Sequence, residues 1–345
     1  MTHCFTVGLP VFLMILAGSG QVSAQSAAAP NAINEEAFVQ IGGIEQWISI
    51  RGQNRDNPVI LVLHGGPGVS NAPFAPAFIP WEKDFTLVEW DQRGAGRTFG
   101  RNGAQLTGTL SIDRLTQDGI ELTEHLRSRL KKDKVILFAL SFGSVIGLKM
   151  VHARPDLFAA YVGSGQFVNA ADGDALGYEL TVAQARAVGN REAISALEAM
   201  GPPPWPDVKT RSAAKGWATR MTKEDDPASK MNVPAMLKAL PDYSDGDFKN
   251  LAAGMAFSTE PLVRDAMRFD ARALGPRFPI PLFIFQGADD LNTPTPLVQR
   301  WFADLEAPAK AIVIVEHASH GAFYTHSQQL GRLLAERVRP LAIGK

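Results

Sequence analysis

The ten residues Val135-Ile136-Leu137-Phe138-Ala139-Leu140-Ser141-Phe142-Gly143-Ser144, followed at once by VIGLKMVHA, decide the architecture. The six apolar residues read as a buried strand, and the run after Ser144 reads as a helix. A serine between the two lies on a tight turn that lifts its hydroxyl above the sheet. Such a turn strains the serine backbone, so the residues two before and two after it must be small. Ala139 and Gly143 meet that demand. Taken alone, Ser141 also reads as a helix N-cap.

The strand belongs to a series. AFVQIGG and IEQWISI are short strand-like pieces, and Pro58–Leu63 is an apolar run ending in His64-Gly65-Gly66-Pro67-Gly68. Further runs cover 85–90, 159–168, 281–286 and 311–316, with helix-period stretches at 114–130, 143–153, 296–305 and 327–338. Strands alternating with helices predict an α/β fold with a doubly wound, mostly parallel sheet. Residues 169–275 break the rhythm, with helical periods, the Gly201-Pro202-Pro203-Pro204-Trp205-Pro206 stretch and no buried strand, and read as an inserted helical cap. The core is then 36–168 and 276–345.

The chemistry follows the strand ends. After Pro281–Phe285 comes Gln286-Gly287-Ala288-Asp289-Asp290, and after 311–316 comes His317-Ala318-Ser319-His320-Gly321. Serine, acid and histidine thus appear in that order, each beyond the C-terminal end of its own strand, where ligands sit in open parallel sheets. A serine hydroxyl needs a neutral imidazole to take its proton, and the imidazole needs a carboxylate to fix its tautomer. Ser141, Asp290 and His320 are the expected catalytic set. Asp290 is preferred to its neighbour Asp289 because it stands three past the turn-forming Gly287. His320 is preferred to His317 and His326 because it occupies the loop before Gly321. Backbone amides of Gly66 and Phe142 are the expected oxyanion donors. Gly65, beside them, is a candidate substrate contact.

Composition narrows the remaining classes. The 345 residues carry 34 basic and 35 acidic side chains, a net charge of −1, which gives no field toward nucleic acid or an anionic membrane. The lone cysteine, Cys4, excludes a disulfide framework and any cysteine-ligated metal. Glu316, His317, His320 and His326 lack an HExxH helix, so no metal and no cofactor are expected. Residues 4–18 are apolar but too short to cross a bilayer, and Val22-Ser23-Ala24 fits a leader-peptidase site. Residues 1–24 are expected to be a signal peptide cleaved after Ala24, with an uncleaved N-terminal anchor as the alternative, 25–35 a flexible lead-in, and the mature chain periplasmic or extracellular.

Together these motifs resemble the α/β-hydrolase fold and, more narrowly, the proline iminopeptidase-like hydrolases. The resemblance rests on His64-Gly65-Gly66-Pro67-Gly68, on Asp91-Gln92-Arg93-Gly94-Ala95-Gly96-Arg97-Thr98, on Ser141-Phe142-Gly143-Ser144, and on Gly287-Ala288-Asp289-Asp290 with Thr293-Pro294. It implies a nucleophile at Ser141, an acid at Asp290, a base at His320, and structural roles for Asp91 and Arg93. Relatives with an aspartate nucleophile, the dehalogenases and epoxide hydrolases, are disfavoured by Ser141. The cap departs from the family: no W-x-x-W-E pattern follows Trp217. An aminopeptidase would need a buried carboxylate for the substrate amine, with Glu179 the first candidate and Glu192, Glu198 and Glu260 behind it. An esterase or lactonase would need an apolar pocket, which Met, Phe and Trp of the cap could supply. The expected reaction is therefore hydrolysis of a small ester or short peptide substrate, esterase or lactonase before aminopeptidase, with a non-catalytic binding protein of the same fold as the remaining alternative.

Overall fold

The structure, a computed structural model, describes residues 31–108, 110–223 and 225–343. The expected leader, 1–24, lies outside the described residues.

Eight strands form one sheet in the order β1-β2-β4-β3-β5-β6-β7-β8: β1 (Ile33–Ile41), β2 (Ile44–Gly52), β3 (Val59–Leu63), β4 (Thr86–Trp90), β5 (Val135–Leu140), β6 (Phe158–Ser164), β7 (Leu282–Gly287) and β8 (Lys310–Val315). Strands β1 and β2 pair antiparallel, as do β2 and β4, and every other pairing is parallel. The continuous apolar runs of β3 to β7 follow from burial on both faces. Ile136, Phe138 and Leu140 enter the core on one side of the sheet, with Phe78, Trp81, Leu330 and Leu334. Val135, Leu137 and Ala139 enter the core on the other, with Leu122, Leu126, Leu148 and Trp301. Burying side chains of this size stabilises the fold by roughly 1.5–3 kcal/mol each.

Two expected boundaries move. Strand β1 begins at Ile33, inside the stretch expected to be a flexible lead-in, because Ile33 is buried and pairs with Gly52 across the hairpin. Gly42 and Gly43 turn that hairpin, both with positive φ, as a two-residue turn of this hand requires. Strand β6 ends at Ser164 rather than running to Val168. Gly165 there turns into the left-handed region, at φ +58°, and the Gln166 amide leaves the ladder to donate to the Gln286 side chain.

The helices are α1 (Gly96–Thr107, kinked at Gly103), α2 (Ile112–Leu130), α3 (Gly143–Ala153), α4 (Ala170–Ala187), α5 (Arg191–Met200), α6 (Val208–Arg220), α7 (Val233–Lys238), α8 (Asp245–Ala266), α9 (Thr295–Ala303), α10 (Ala322–Thr325), α11 (Ser327–Leu333) and α12 (Arg339–Ile343). Helices α4 to α8 all lie between β6 and β7. Ala185, Ala193, Leu197, Trp217 and Met221 give α4 to α6 a small core of their own, while Leu262 and Ala266 of α8 join the main core. Asp91 accepts the Arg97 amide at 2.7 Å, and Arg93 pairs with buried Asp118 at 2.7 Å while donating to the Gly42 carbonyl. These two residues tie the loop after β4 to α1, to α2 and to the β1–β2 turn.

Candidate active site

Ser141 occupies the turn between β5 and α3 with φ +50°, in the region that costs a non-glycine residue about 1–3 kcal/mol. Its surroundings hold it there. The Ser141 amide donates to the Ser164 carbonyl at 2.9 Å, and the Ser144 hydroxyl donates to the Ser141 carbonyl while accepting from the Phe167 amide. A side chain at Gly143 would come within 2.5 Å of the Leu63 carbonyl oxygen, so α3 can start this close to β3 only on glycine. Ala139 takes the place where glycine is usual, and Gly147 supplies the room: a methyl at 147 would lie 3.0 Å from that of Ala139.

His320 Nε2 lies 2.9 Å from Ser141 Oγ and its Nδ1 lies 2.8 Å from Asp290 Oδ2. Asp290 is fully buried and collects donors on both oxygens: the amides of Asn292 and Thr293 on Oδ1, and Thr293 Oγ1 and Gln286 Nε2 with His320 on Oδ2. Burial opposes its charge, but the His320 imidazole and these hydrogen bonds outweigh it and hold the carboxyl below its ordinary range. An ionised Asp290 only accepts, so His320 carries its proton on Nδ1 and offers Nε2 to the serine hydroxyl. The alternatives sit elsewhere. Asp289 pairs with Lys223 at 2.7 Å, exposed His317 with Asp225 at 2.8 Å, and His326 faces Thr325 Oγ1.

Gly165 confines the imidazole from behind. A methyl there would lie 2.8 Å from His320 Cε1, and the residue is already at positive φ. Gly165→Ala is expected to displace the ring and lower kcat by about a hundredfold, the scale of a 1 Å misplacement. An unchanged kcat in the folded variant would show that the ring has room to spare.

Gly66 and Phe142 border the same cavity as Ser141 and His320. Gly65 packs under the serine, where a methyl would lie 3.1 Å from Ser141 Cβ. The loop is anchored through His64. Its Nε2 accepts the Gln92 amide, so its proton is on Nδ1 and donates to the Gly65 carbonyl, while the Gln92 side chain donates to the His64 carbonyl. Burial lowers the His64 pKa to about 4 and keeps the ring neutral.

The cavity over Ser141 has a volume of about 380 Å³. Val69, Phe142, Phe167, Met255 and Val263 give it apolar walls, and Arg211, Lys215 and Thr219 of α6 give it a polar one. Glu179 is not there. It is exposed beside Ala175, Val182, Pro202 and Pro203 on another part of the cap, because α4 presents Gly177 and Asp174 inward and turns Glu179 out. Glu192, Glu198 and Glu260 are exposed as well, the last two paired with Arg186 and Arg264. Trp217 packs inside the cap under the Arg220 guanidinium rather than lining the cavity. The residues that sequence reasoning missed are Arg211, Lys215, Gln286 and Gly165. Of these, Gln286 alone left a signal, as a polar residue closing an apolar strand.

Over 290 residues the chain is 27% identical to a probable aminopeptidase, YbaC, of Bacillus subtilis (strain 168), covering 82% of this chain and 89% of that protein. It is 29% identical to the proline iminopeptidase of Neisseria gonorrhoeae over 131 residues, 38% of this chain and 40% of the other. Among solved structures, a proline iminopeptidase-related protein from Thermus thermophilus superposes with a TM-score of 0.62 at 20% identity, covering 90% of this chain and 99% of that one. An esterase from Exiguobacterium antarcticum shares the fold with a TM-score of 0.58 at 15% identity, over 88% of this chain and all of that one. With the model of the serine aminopeptidase family S33 matching residues 55–325, the chain belongs to that family of α/β-hydrolases.

Proposed function

We propose that this serine-hydrolase-type α/β-hydrolase cleaves a small carboxylic ester or lactone through a covalent acyl-enzyme on Ser141. The observation that carries the reading is the unbroken hydrogen-bonded line from Asp290 through His320 to Ser141 Oγ. Ser141 Oγ attacks the carbonyl carbon as its proton passes to His320 Nε2, and Asp290 stabilises the imidazolium that forms. The amides of Phe142 and Gly66 receive the oxyanion. Collapse breaks the bond to the leaving oxygen, which takes the proton from His320. Water then repeats the sequence on the acyl-enzyme, releasing the acid and restoring the serine.

A second reading, removal of an N-terminal residue from a short peptide, is favoured by the names of the family and of the Bacillus relative. Against it stands the lining of the cavity, which among the described residues includes no Asp or Glu to meet a substrate ammonium. Export with cleavage after Ala24 completes the proposal on sequence grounds. The mass of the mature protein in a periplasmic fraction, beginning at Gln25, is its test.

A fluorophosphonate probe followed by peptide mapping is expected to label Ser141. Label on another residue, or none in active enzyme, would overturn the assignment. Short acyl esters and lactones are expected to turn over at least about tenfold faster than a proline arylamide. Strong arylamide cleavage with negligible ester turnover would reverse the choice of substrate.

A further inference from the structure

The polar wall of the cavity is a charge cluster that the hydrolytic reading does not use. Arg211 and Lys215 stand one turn apart on α6 and both line the cavity. They share one carboxylate, Asp174 of α4. Arg211 Nε and Nη2 reach its two oxygens at 2.6 and 2.9 Å, and Lys215 Nζ lies 3.1 Å from Oδ1. The other partner of Lys215 is neutral, the Asn292 carbonyl at 2.9 Å. Arg211 is 9% exposed, and its Nη1 has no hydrogen-bond partner among the described residues. Two basic side chains face one carboxylate in this wall, and burial lowers the Lys215 pKa against the pull of Asp174 and, more weakly, of Asp290.

Among the described residues the other acid acting on Lys215 is Asp290, whose oxygens are both taken by the donors described above and which does not line this cavity. A single arginine would satisfy Asp174. A second buried cation carries a desolvation cost that only another anion offsets well. The same wall would repel the free ammonium of a peptide, which places it in the same argument as the outward-facing Glu179.

We propose that the substrate is an acid: a small ester or lactone bearing a carboxylate, held by the free donors of Arg211 and Lys215 while its acyl carbon lies at Ser141. A volume of about 380 Å³ is at the small end of ligand pockets, so carboxylate and scissile bond belong to one compact molecule. Paired with a substrate carboxylate, the cluster becomes two cations with two anions, and each new bond is of the charge-assisted kind. This inference rests on the hydrolytic reading of Ser141, and the experiment separates the two.

Matched chromogenic substrates supply the test. The 4-nitrophenyl monoester of glutaric acid, with its free carboxylate, is compared with the methyl-capped diester of the same length. A second pair, 4-acetoxybenzoate and its methyl ester, carries the charge on the leaving group instead. In at least one pair the acid is expected to have a kcat/KM about tenfold or more above its neutral partner, the scale of one charge-assisted hydrogen bond. Lys215→Gln is expected to reduce that acid-to-neutral ratio about tenfold, whereas a merely structural role would lower both substrates together and leave the ratio in place. Should that variant fail to fold, inhibition of wild-type turnover of the neutral diester decides: glutarate is expected to inhibit at least about tenfold more strongly than glutaramide. Neutral esters cleaved as well as acids in both pairs, with Ser141 still labelled, would overturn the acid preference and leave the hydrolytic reading standing. An unmoved ratio in folded Lys215→Gln, or equal inhibition by the two glutaryl compounds, would overturn it too. Active enzyme with Ser141 unlabelled would instead remove the reading on which the inference rests.

Discussion

Replacing Asp290 with asparagine is expected to lower kcat by about 10⁴ with the cavity intact. The reason lies in the donors around the carboxylate. Oδ1 receives two backbone amides, and Oδ2 receives His320 Nδ1, Gln286 Nε2 and the Thr293 hydroxyl. An asparagine has one oxygen for both sites. Keeping it against the two backbone amides, which cannot rotate, turns its NH₂ toward His320 and Gln286. The imidazole must then accept on Nδ1 and carry its proton on Nε2, where it can no longer receive one from Ser141. The Gln286 amide meanwhile loses an acceptor in a buried place, which costs about 1–3 kcal/mol. The variant should therefore be slow and somewhat less stable. A fall in kcat of less than tenfold, measured on a 4-nitrophenyl ester with the fold verified by circular dichroism, would show that Asp290 does not set the tautomer.

Why the positions of Ser141, Asp290 and His320 were readable from sequence, and the polar wall of the cavity was not, has a physical explanation. Strands buried on both faces must be continuous apolar runs, so 135–140 and 282–287 announce themselves, and polar residues just beyond their ends stand at the rim of the sheet. The reasoning is local, and the three side chains it names lie together in the fold. Arg211, Lys215 and Thr219 repeat every four residues along α6, and that pattern belongs equally to a solvated helix face. Only the way the cap lies over the sheet turns the stripe toward Ser141. The same long-range dependence explains Glu179, which is close in sequence to the exit from β6 yet faces outward. It also explains Gly165, whose need for glycine comes from a ring 155 residues away in sequence, at 320. The apolar run 85–90 hides a further case, since its one acid, Glu89, is as buried as its neighbours.

Glu89→Gln is expected to stabilise the protein above pH 7 by up to about 3 kcal/mol, with the gain disappearing as the pH falls toward 4.5. Glu89 lies in β4 opposite Val62 and Ser49, and its Oε2 accepts from Asn71 at 2.8 Å while Oε1 has no partner among the described residues. Burial is the main cause that raises its pKa from the ordinary 4.5 to about 7. Asn71 and the charge of Arg51 oppose the rise, and nearby Asp91 and Glu82 add to it. A carboxyl whose folded pKa is raised favours the folded state in its protonated form. That stability is complete below 4.5 and is lost as the pH rises through 7, where the folded chain must hold a charge that water would solvate better. The interval corresponds to roughly 3 kcal/mol as an upper value. Glutamine keeps the shape, can present its oxygen to Asn71, and is neutral at every pH. Urea unfolding of wild type and variant at pH 5 and pH 8 measures the difference directly. A gain that is the same at both values, or a loss at pH 8, would mean that Glu89 carries its charge without penalty in this sheet.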